Sequence, residues 1–308
     1  MASALGQAMS ELRVDAEEPT CFLLDLSHDL LSIVTHELYD PLQPLLFVHL
    51  SSTAKGLRAA TEKQLAELKQ HRQQVEEMVA GLHIRCAQLR DATKLHLGAG
   101  YNRPLTLAHW MAFGNLARSG SLPRLELLSI SGTDIGIVAL LAAVLRRGRL
   151  PSLRHLVISN AQINPRAATA LATALTSPVV PLLMDLSLSI NPVGGAGLTA
   201  LAPALRQLPE LRTLYLNQNQ ITDQGLASLL ASPTAGVLPS LTFLNLNGNQ
   251  ITDEGCATLA VALRSGALPA LRVLNLSNNP ASRQEAQMVK AARPSVHFVF
   301  LGPGGAAT

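Results

Sequence analysis

One phrase recurs six times in this chain and constrains its fold more than any other feature. It reads LELLSISGTDI from Leu125, LRHLVISNAQI from Leu153, LMDLSLSINPV from Leu183, LRTLYLNQNQI from Leu211, LTFLNLNGNQI from Leu241 and LRVLNLSNNPA from Leu271, at intervals of 28 or 30 residues. A period of that length marks a stack of supersecondary units. In the shared pattern LxxLxLxxNxI, the alternating LxL predicts a short strand with its leucines on one face. The later asparagine falls where the chain must turn toward the next element, and its amide can bond backbone groups there. Asn191, Asn219, Asn249 and Asn279 then form a structural ladder, while Thr133 and Ala161 hold that place in the first two full units. A buried polar group left unpaired costs about 1–3 kcal/mol, so the units without the amide should be less regular.

Each strand is followed by helix-start signals. Asn164 precedes Pro165, Thr222 precedes Asp223, Thr252 precedes Asp253, and Ser282 opens a run containing Glu285. Apolar residues then recur at helical spacing, as in Leu226, Leu229 and Leu230, or Cys256, Leu259, Ala260 and Leu263. With 59 leucines and only 3% aromatic residues, the core must be built from small aliphatic units. One unit buries about five such side chains at ~1.5–3 kcal/mol each, against ordering nearly thirty residues at ~1–2 kcal/mol apiece. No unit folds alone, and stacking is obligatory. Degenerate units extend the pattern at both ends, with a strand at Lys94 to Leu97 and a helix around Leu105 to Leu116, and a last strand at Val296 to Leu301.

The phrase and its period resemble the leucine-rich repeat of the ribonuclease-inhibitor-like subfamily, over residues 92–301. The resemblance implies an α/β solenoid, curved, with a parallel inner sheet and outer helices. It also implies non-enzymatic protein recognition through the concave face. Strand positions not used by leucine face outward on that side. Thr213, Tyr215, Asn217, Phe243, Asn245, Asn247, Val273 and Asn275 are the candidate partner-binding residues, with Tyr215 and Phe243 on adjacent strands as an aromatic anchor flanked by asparagines. The alternative is that exposed strands favour Tyr and Phe for their own sake. The earlier strands add one histidine, His155, one acid, Asp185, and a run of serines that ends, on the last strand, with Ser277.

Before the repeats, residues 21–60 read as two short helices. Leu26, Leu30, Leu31, Ile33, Val34 and Leu38 mark the first, closed by Asp40-Pro41, and Leu45, Leu46 and Leu50 mark the second. This arrangement resembles an F-box, the helical module that docks onto the Skp adaptor of cullin-type ubiquitin ligases. Leu26, Leu30, Leu31, Ile33, Val34, Leu45 and Leu46 would then be the adaptor-docking residues. Ser27 stands where that family usually has proline, and no tryptophan follows near Leu57. Two readings stay open: a ligase substrate receptor, and a plain scaffold whose helices cap the first repeat. Residues 61–91 predict a linking helix, with Leu65, Leu68, Val75, Val79, Leu82, Cys86 and Leu89 at three-four spacing and Arg72 in the slot that breaks the seam. Packing against neighbouring helices is the preferred use of that seam, and homodimerisation the other. Residues 1–20 and 302–308 read as disordered tails.

Charge and chemistry narrow the function. Residues 1–60 hold three Lys/Arg against eight Asp/Glu, residues 61–92 five against five, and residues 93–308 sixteen against eight. That surplus is too dilute for the concentrated basic face that nucleic acid needs. No signal or membrane-spanning pattern occurs, since Asp25, Asp29, Glu37 and Asp40 interrupt the most apolar early stretch. An intracellular protein of the cytoplasm or nucleus is expected. The nine histidines form no HExxH pair, the three cysteines no CxxC, and the glycine runs at Gly194-Gly195 and Gly302 no phosphate loop. No metal, cofactor or catalytic residue is expected, and Cys256 and Cys86 read as core. Ran GTPase-activating proteins share this repeat type, but their partner-facing surfaces are more strongly charged.

Overall fold

The computed structural model describes residues 91–98, 122–132, 150–176, 182–231 and 237–302, with single positions at 70, 73, 113–114, 117, 141–142 and 145. The F-box-like segment, with Leu26, Leu30, Leu31, Ile33, Val34, Leu45 and Leu46, lies outside the described residues, as do the two tails (save Gly302) and nearly all of the linking helix.

Eight strands follow one another: β1 (Lys94–Gly98), β2 (Leu127–Ser131), β3 (His155–Ser159), β4 (Asp185–Ser187), β5 (Thr213–Tyr215), β6 (Phe243–Asn245), β7 (Val273–Asn275) and β8 (His297–Val299). They form one open parallel sheet in sequence order, within the unit Glu76–Thr308. Five described helices alternate with the later strands: α1 (Pro165–Leu175), α2 (Gly194–Arg206), α3 (Asp223–Leu230), α4 (Asp253–Arg264) and α5 (Arg283–Ala292). The result is an α/β solenoid. Parallel strands sit about 4.8 Å apart, whereas packed helices need about 8–10 Å. A stack carrying strands on one side and helices on the other must bend toward the strands.

The second leucine of each phrase fills the space between the layers. Leu128, Leu156, Leu186, Leu214, Leu244 and Leu274 lie side by side in register and are fully buried. Leu171, Leu201, Leu229 and Leu259 meet them from the helices, also fully buried. Where helices α2 and α3 come closest, a side chain on Gly225 would lie 2.9 Å from the Gly195 backbone. Only glycine permits that approach.

The helix starts fall where the sequence signals place them, but the caps differ. Asn164 accepts from the Ala167 N–H at 2.9 Å, and Thr252 and Ser282 accept from Glu254 and Glu285 at 3.3 Å. Thr222 makes no side-chain cap bond. Its hydroxyl lies over Gly195 instead, where an added Cβ would come within 2.2 Å of it. At the far end of α4, the Arg293 guanidinium donates to the carbonyls of Leu268, Leu263 and Ala267 at 2.5, 2.7 and 2.8 Å. A cation there satisfies orphan carbonyls and opposes the negative end of the helix dipole.

The asparagines of the phrase tie each turn to its neighbours. Asn191 accepts from Ala161 N and Ile163 N at 2.8 and 3.2 Å and donates to the carbonyls of Ile158 and Leu188, both at 2.9 Å. Asn249 accepts from Asn219 N and Ile221 N at 3.0 Å and donates to Leu216 and Leu246 at 2.9 Å. Asn279 repeats the pattern on Ile251 N, Leu246 and Leu276. All four ladder asparagines are buried. Asn219 donates to Leu188 and Asn217 at 2.9 Å, but its Oδ1 is the one buried side-chain polar atom without a partner among the described residues. The turn it should clasp runs through Pro192 and an α-helical Val193, and the Gly194 N–H reaches the Asn219 main-chain carbonyl instead.

Candidate functional site

The open face of the sheet is built by the odd positions of each phrase. In the strands β2 to β7 the burial alternates, with every even position fully packed and its neighbours half-buried. Register places Thr213, Phe243 and Val273 in one row and Tyr215, Asn245 and Asn275 in the next. Asn217 and Asn247 follow beyond the strand ends, both half-buried. All eight candidate residues therefore share one face. Ser277, expected from the sequence to face outward on the last of these strands, is buried instead, with its hydroxyl accepting from Leu301 N at 3.0 Å.

Tyr215 and Phe243 are diagonal neighbours across the β5–β6 pair, with ring centroids 5.0 Å apart and planes inclined at 45°. Such a tilted pair is a favourable aromatic geometry. The surrounding amides are oriented by the backbone beneath them. Asn245 Oδ1 accepts from Asn247 N, and Asn275 Oδ1 from Ser277 N, both at 3.0 Å. Asn217 Oδ1 accepts from the Ser189 hydroxyl at 2.8 Å. The Nδ2 groups of these three residues have no hydrogen-bond partner among the described residues. The face here is thus an aromatic pair flanked by amides.

Toward the first strands the face changes. His155 and Asp185 stand directly opposite across β3 and β4, and His155 Nδ1 lies 2.5 Å from Asp185 Oδ2. Both are about one third exposed. The two charged-type side chains read on this surface therefore answer one another. Cross-strand placement follows from their shared third position in the phrase, a signal the sequence carried but whose pairing emerges only in the register. Cys256 sits in α4 on the opposite layer, and burial, followed by the charges of Asp253, Asp223 and Glu285, pushes its thiol from 9.0 up to about 12. A thiol held protonated is a core residue, not a nucleophile. No cluster of His, Cys, Asp and Glu among the described residues could hold a metal, and no described helix is long and apolar enough to cross a membrane.

Residues 209–264 and 239–284 match a family model of leucine-rich repeats in two copies. These are leucine-rich repeats. The eight-stranded parallel sheet with its alternating helices is accordingly an α/β leucine-rich-repeat solenoid. Among solved structures, InlP of Listeria monocytogenes aligns at 21% identity with a TM-score of 0.27, over 52% of this chain and 33% of that one. This chain spans about a third of the length of that protein. Curated proteins give no match. Leucine-rich-repeat domains are as a class binding scaffolds for proteins.

One backbone feature of the repeats escaped the sequence reading. The residue before the turn asparagine is left-handed in every described unit, with φ of 62° at Gly132, 48° at Asn160, 58° at Ile190, 56° at Gln218, 68° at Gly248 and 55° at Asn278. Two glycines and two asparagines at that place were the available signal. Ile190 is the departure, a β-branched residue in a region that side chains of its kind avoid.

Proposed function

We propose that this chain is a non-enzymatic recognition protein of the ribonuclease-inhibitor-like repeat type, holding a protein partner on the concave face through Tyr215, Phe243 and the adjoining amides. The observation that carries this reading is the ring pair at 5.0 Å, half-buried and flanked by Asn217, Asn245 and Asn275. Their acceptor oxygens are already bonded at 2.8 to 3.0 Å. A rigid amphipathic ring pair surrounded by oriented donors is the composition of a binding hot spot. A photo-crosslinking residue at Val273 on this face, compared with one at Val261 on the outer helix layer, tests it. The Val273 probe should capture a defined protein whose affinity for the purified chain falls when Tyr215 and Phe243 both become alanine. Equal capture from both positions would remove the concave face from the reading.

The finer role is a ligase substrate receptor, in which Leu26, Leu30, Leu31, Ile33, Val34, Leu45 and Leu46 dock a Skp-type adaptor while the repeats hold the substrate. Its support is the F-box-like spacing together with the order of the two segments. Retention of the full chain by a purified Skp adaptor, lost when Leu30 and Leu31 become aspartate, is the expected result. Without retention at micromolar concentration, the plain scaffold with a helical cap remains. A Ran-type regulatory role would need a strongly charged partner-facing surface, whereas the one acid of the described open face, Asp185, is paired with His155.

A further inference from the structure

The two layers of the solenoid end differently at β8. In the helix layer, the position occupied by Ala172, Ala202, Leu230 and Ala260 in successive helices is buried each time. In α5 it becomes Lys290, which is exposed. The last described helix thus carries a charge where its predecessors are apolar. The sheet layer is not closed by any described residue. Phe298 stands in register with Leu274, which is fully buried, yet Phe298 and Phe300 are only half-buried. Their rings stack at 6.2 Å with planes 7° apart.

The backbone is open there as well. His297 N bonds to Arg272 O at 2.7 Å, Val299 O accepts from Leu276 N at 3.0 Å, and Leu301 O accepts from Asn278 N at 2.7 Å. Alternation then directs the N–H and C=O groups of Phe298 and Phe300 away from β7, toward the edge that no described strand covers. We propose that this edge accepts an extended acidic segment of a protein partner as a ninth strand. Main-chain bonds to Phe298 and Phe300 supply the pairing, the two rings receive its apolar side chains, and Lys290 selects acidic residues beside them. A second copy of this chain fits less well, because a twofold pairing of β8 with itself brings Lys290 of each copy to the same side of the junction. The inference concerns the end of the stack and does not depend on the concave face.

The test uses the full chain and a fluorescein-labelled nine-residue peptide of alternating valine and threonine with two acidic residues at each end. Anisotropy should show saturable, salt-sensitive binding, about fivefold weaker for a lysine-ended peptide, the scale of one exposed ion pair. Phe300→Pro removes an outward N–H without touching a bond to β7 and should abolish binding, while Lys290→Glu should reverse the preference. Tyr215→Ala with Phe243→Ala should leave the peptide affinity unchanged, which separates this edge from the concave site. If Phe300→Pro does not fold, Lys290→Glu and Phe298→Thr decide the matter. Absence of saturable binding, or binding indifferent to these substitutions, overturns the proposal. Concentration-dependent self-association in sedimentation that Phe300→Pro removes would assign the edge to a second copy and overturn it equally.

Discussion

Strands β2 and β3 pair over five residues, through Ser131 and Ser159, whereas β3 and β4 stop pairing at Val157 and Ser187, and every later pair is equally short. The difference coincides with the arrival of the asparagine ladder at Asn191. From there on, the carbonyl of the sixth phrase position is taken by asparagine side chains, as Leu188 is by Asn191 and Asn219. In the last two phrases the N–H of the seventh position turns to a side chain of its own strand, Asn247 N to Asn245 and Ser277 N to Asn275. Side-chain amides thus take the carbonyls that the next strand would otherwise bond, while the rungs in the other direction continue, as from Ile190 N to Asn217 O at 2.9 Å and from Gln218 N to Asn247 O at 2.8 Å. The early units keep a longer sheet, although the Ala161 turn is clasped by Asn191 of the next unit, while the later units combine shorter strands with an asparagine of their own. The want of the amide predicts less regular early units, but their described strands β2 and β3 pair in register over five residues, more than any later pair.

The largest test of this comparison is Asn249→Leu, which strands Asn219 N, Ile221 N and the Leu216 carbonyl, while the Leu246 carbonyl keeps its bond from Asn279. At ~1–3 kcal/mol for each buried group left unpaired and not re-solvated, denaturant unfolding should show a loss of at least about 3 kcal/mol. Asn219→Leu should cost less, since its Oδ1 already bonds to nothing; equal losses would show that the clasp of the preceding turn is not what stabilises these units. Next comes Arg293→Ala, which removes three charge-assisted bonds to carbonyls at the end of α4 and should lower stability by about 2 kcal/mol. Ile190→Asn should act in the opposite direction. Ile190 is half exposed, so little burial is lost, and relief of the left-handed strain should raise stability by about 1 kcal/mol in the same unfolding assay.

The smallest expected effect concerns Cys256. With its thiol pushed up to about 12, the folded chain holds the proton through the range where an unfolded thiol releases it, near 9. The unfolded state then binds fewer protons between those values, so this contribution to stability is intact below pH 9 and is lost as pH rises toward 12. At pH 8 the native protein should give almost no rapid reaction of Cys256 with a thiol reagent, and unfolding should release it. Rapid labelling of the folded chain would show that α4 opens, and would weaken the contrast between clasped and unclasped units.

Much of this was legible because leucine spacing records both layers at once. The strand positions, the helix starts at Asn164, Thr252 and Ser282, and the shared face of Tyr215 and Phe243 all follow from the phrase. What was not legible depends on neighbours about thirty residues away in sequence. The hydroxyl of Thr222 turns to Gly195, Ser277 is covered by Leu301, Arg293 reaches back to the end of α4, and Asn219 is orphaned because Pro192 alters a turn in the previous unit. A single phrase read alone carries none of these.

The ladder also gives the stack a direction. Asn191, Asn249 and Asn279 each accept from the turn of the unit before them, from Ala161, Ile221 and Ile251, so these units are finished by their successors, with the turn before Asn219 the exception. Trimming repeats from the front leaves each surviving turn still fastened, whereas trimming from the back undoes the one newly left last. Shortened forms of this protein should consequently survive loss at their beginning far better than loss at their end, and the chain behaves less like a row of identical bricks than like a zip that closes from one side.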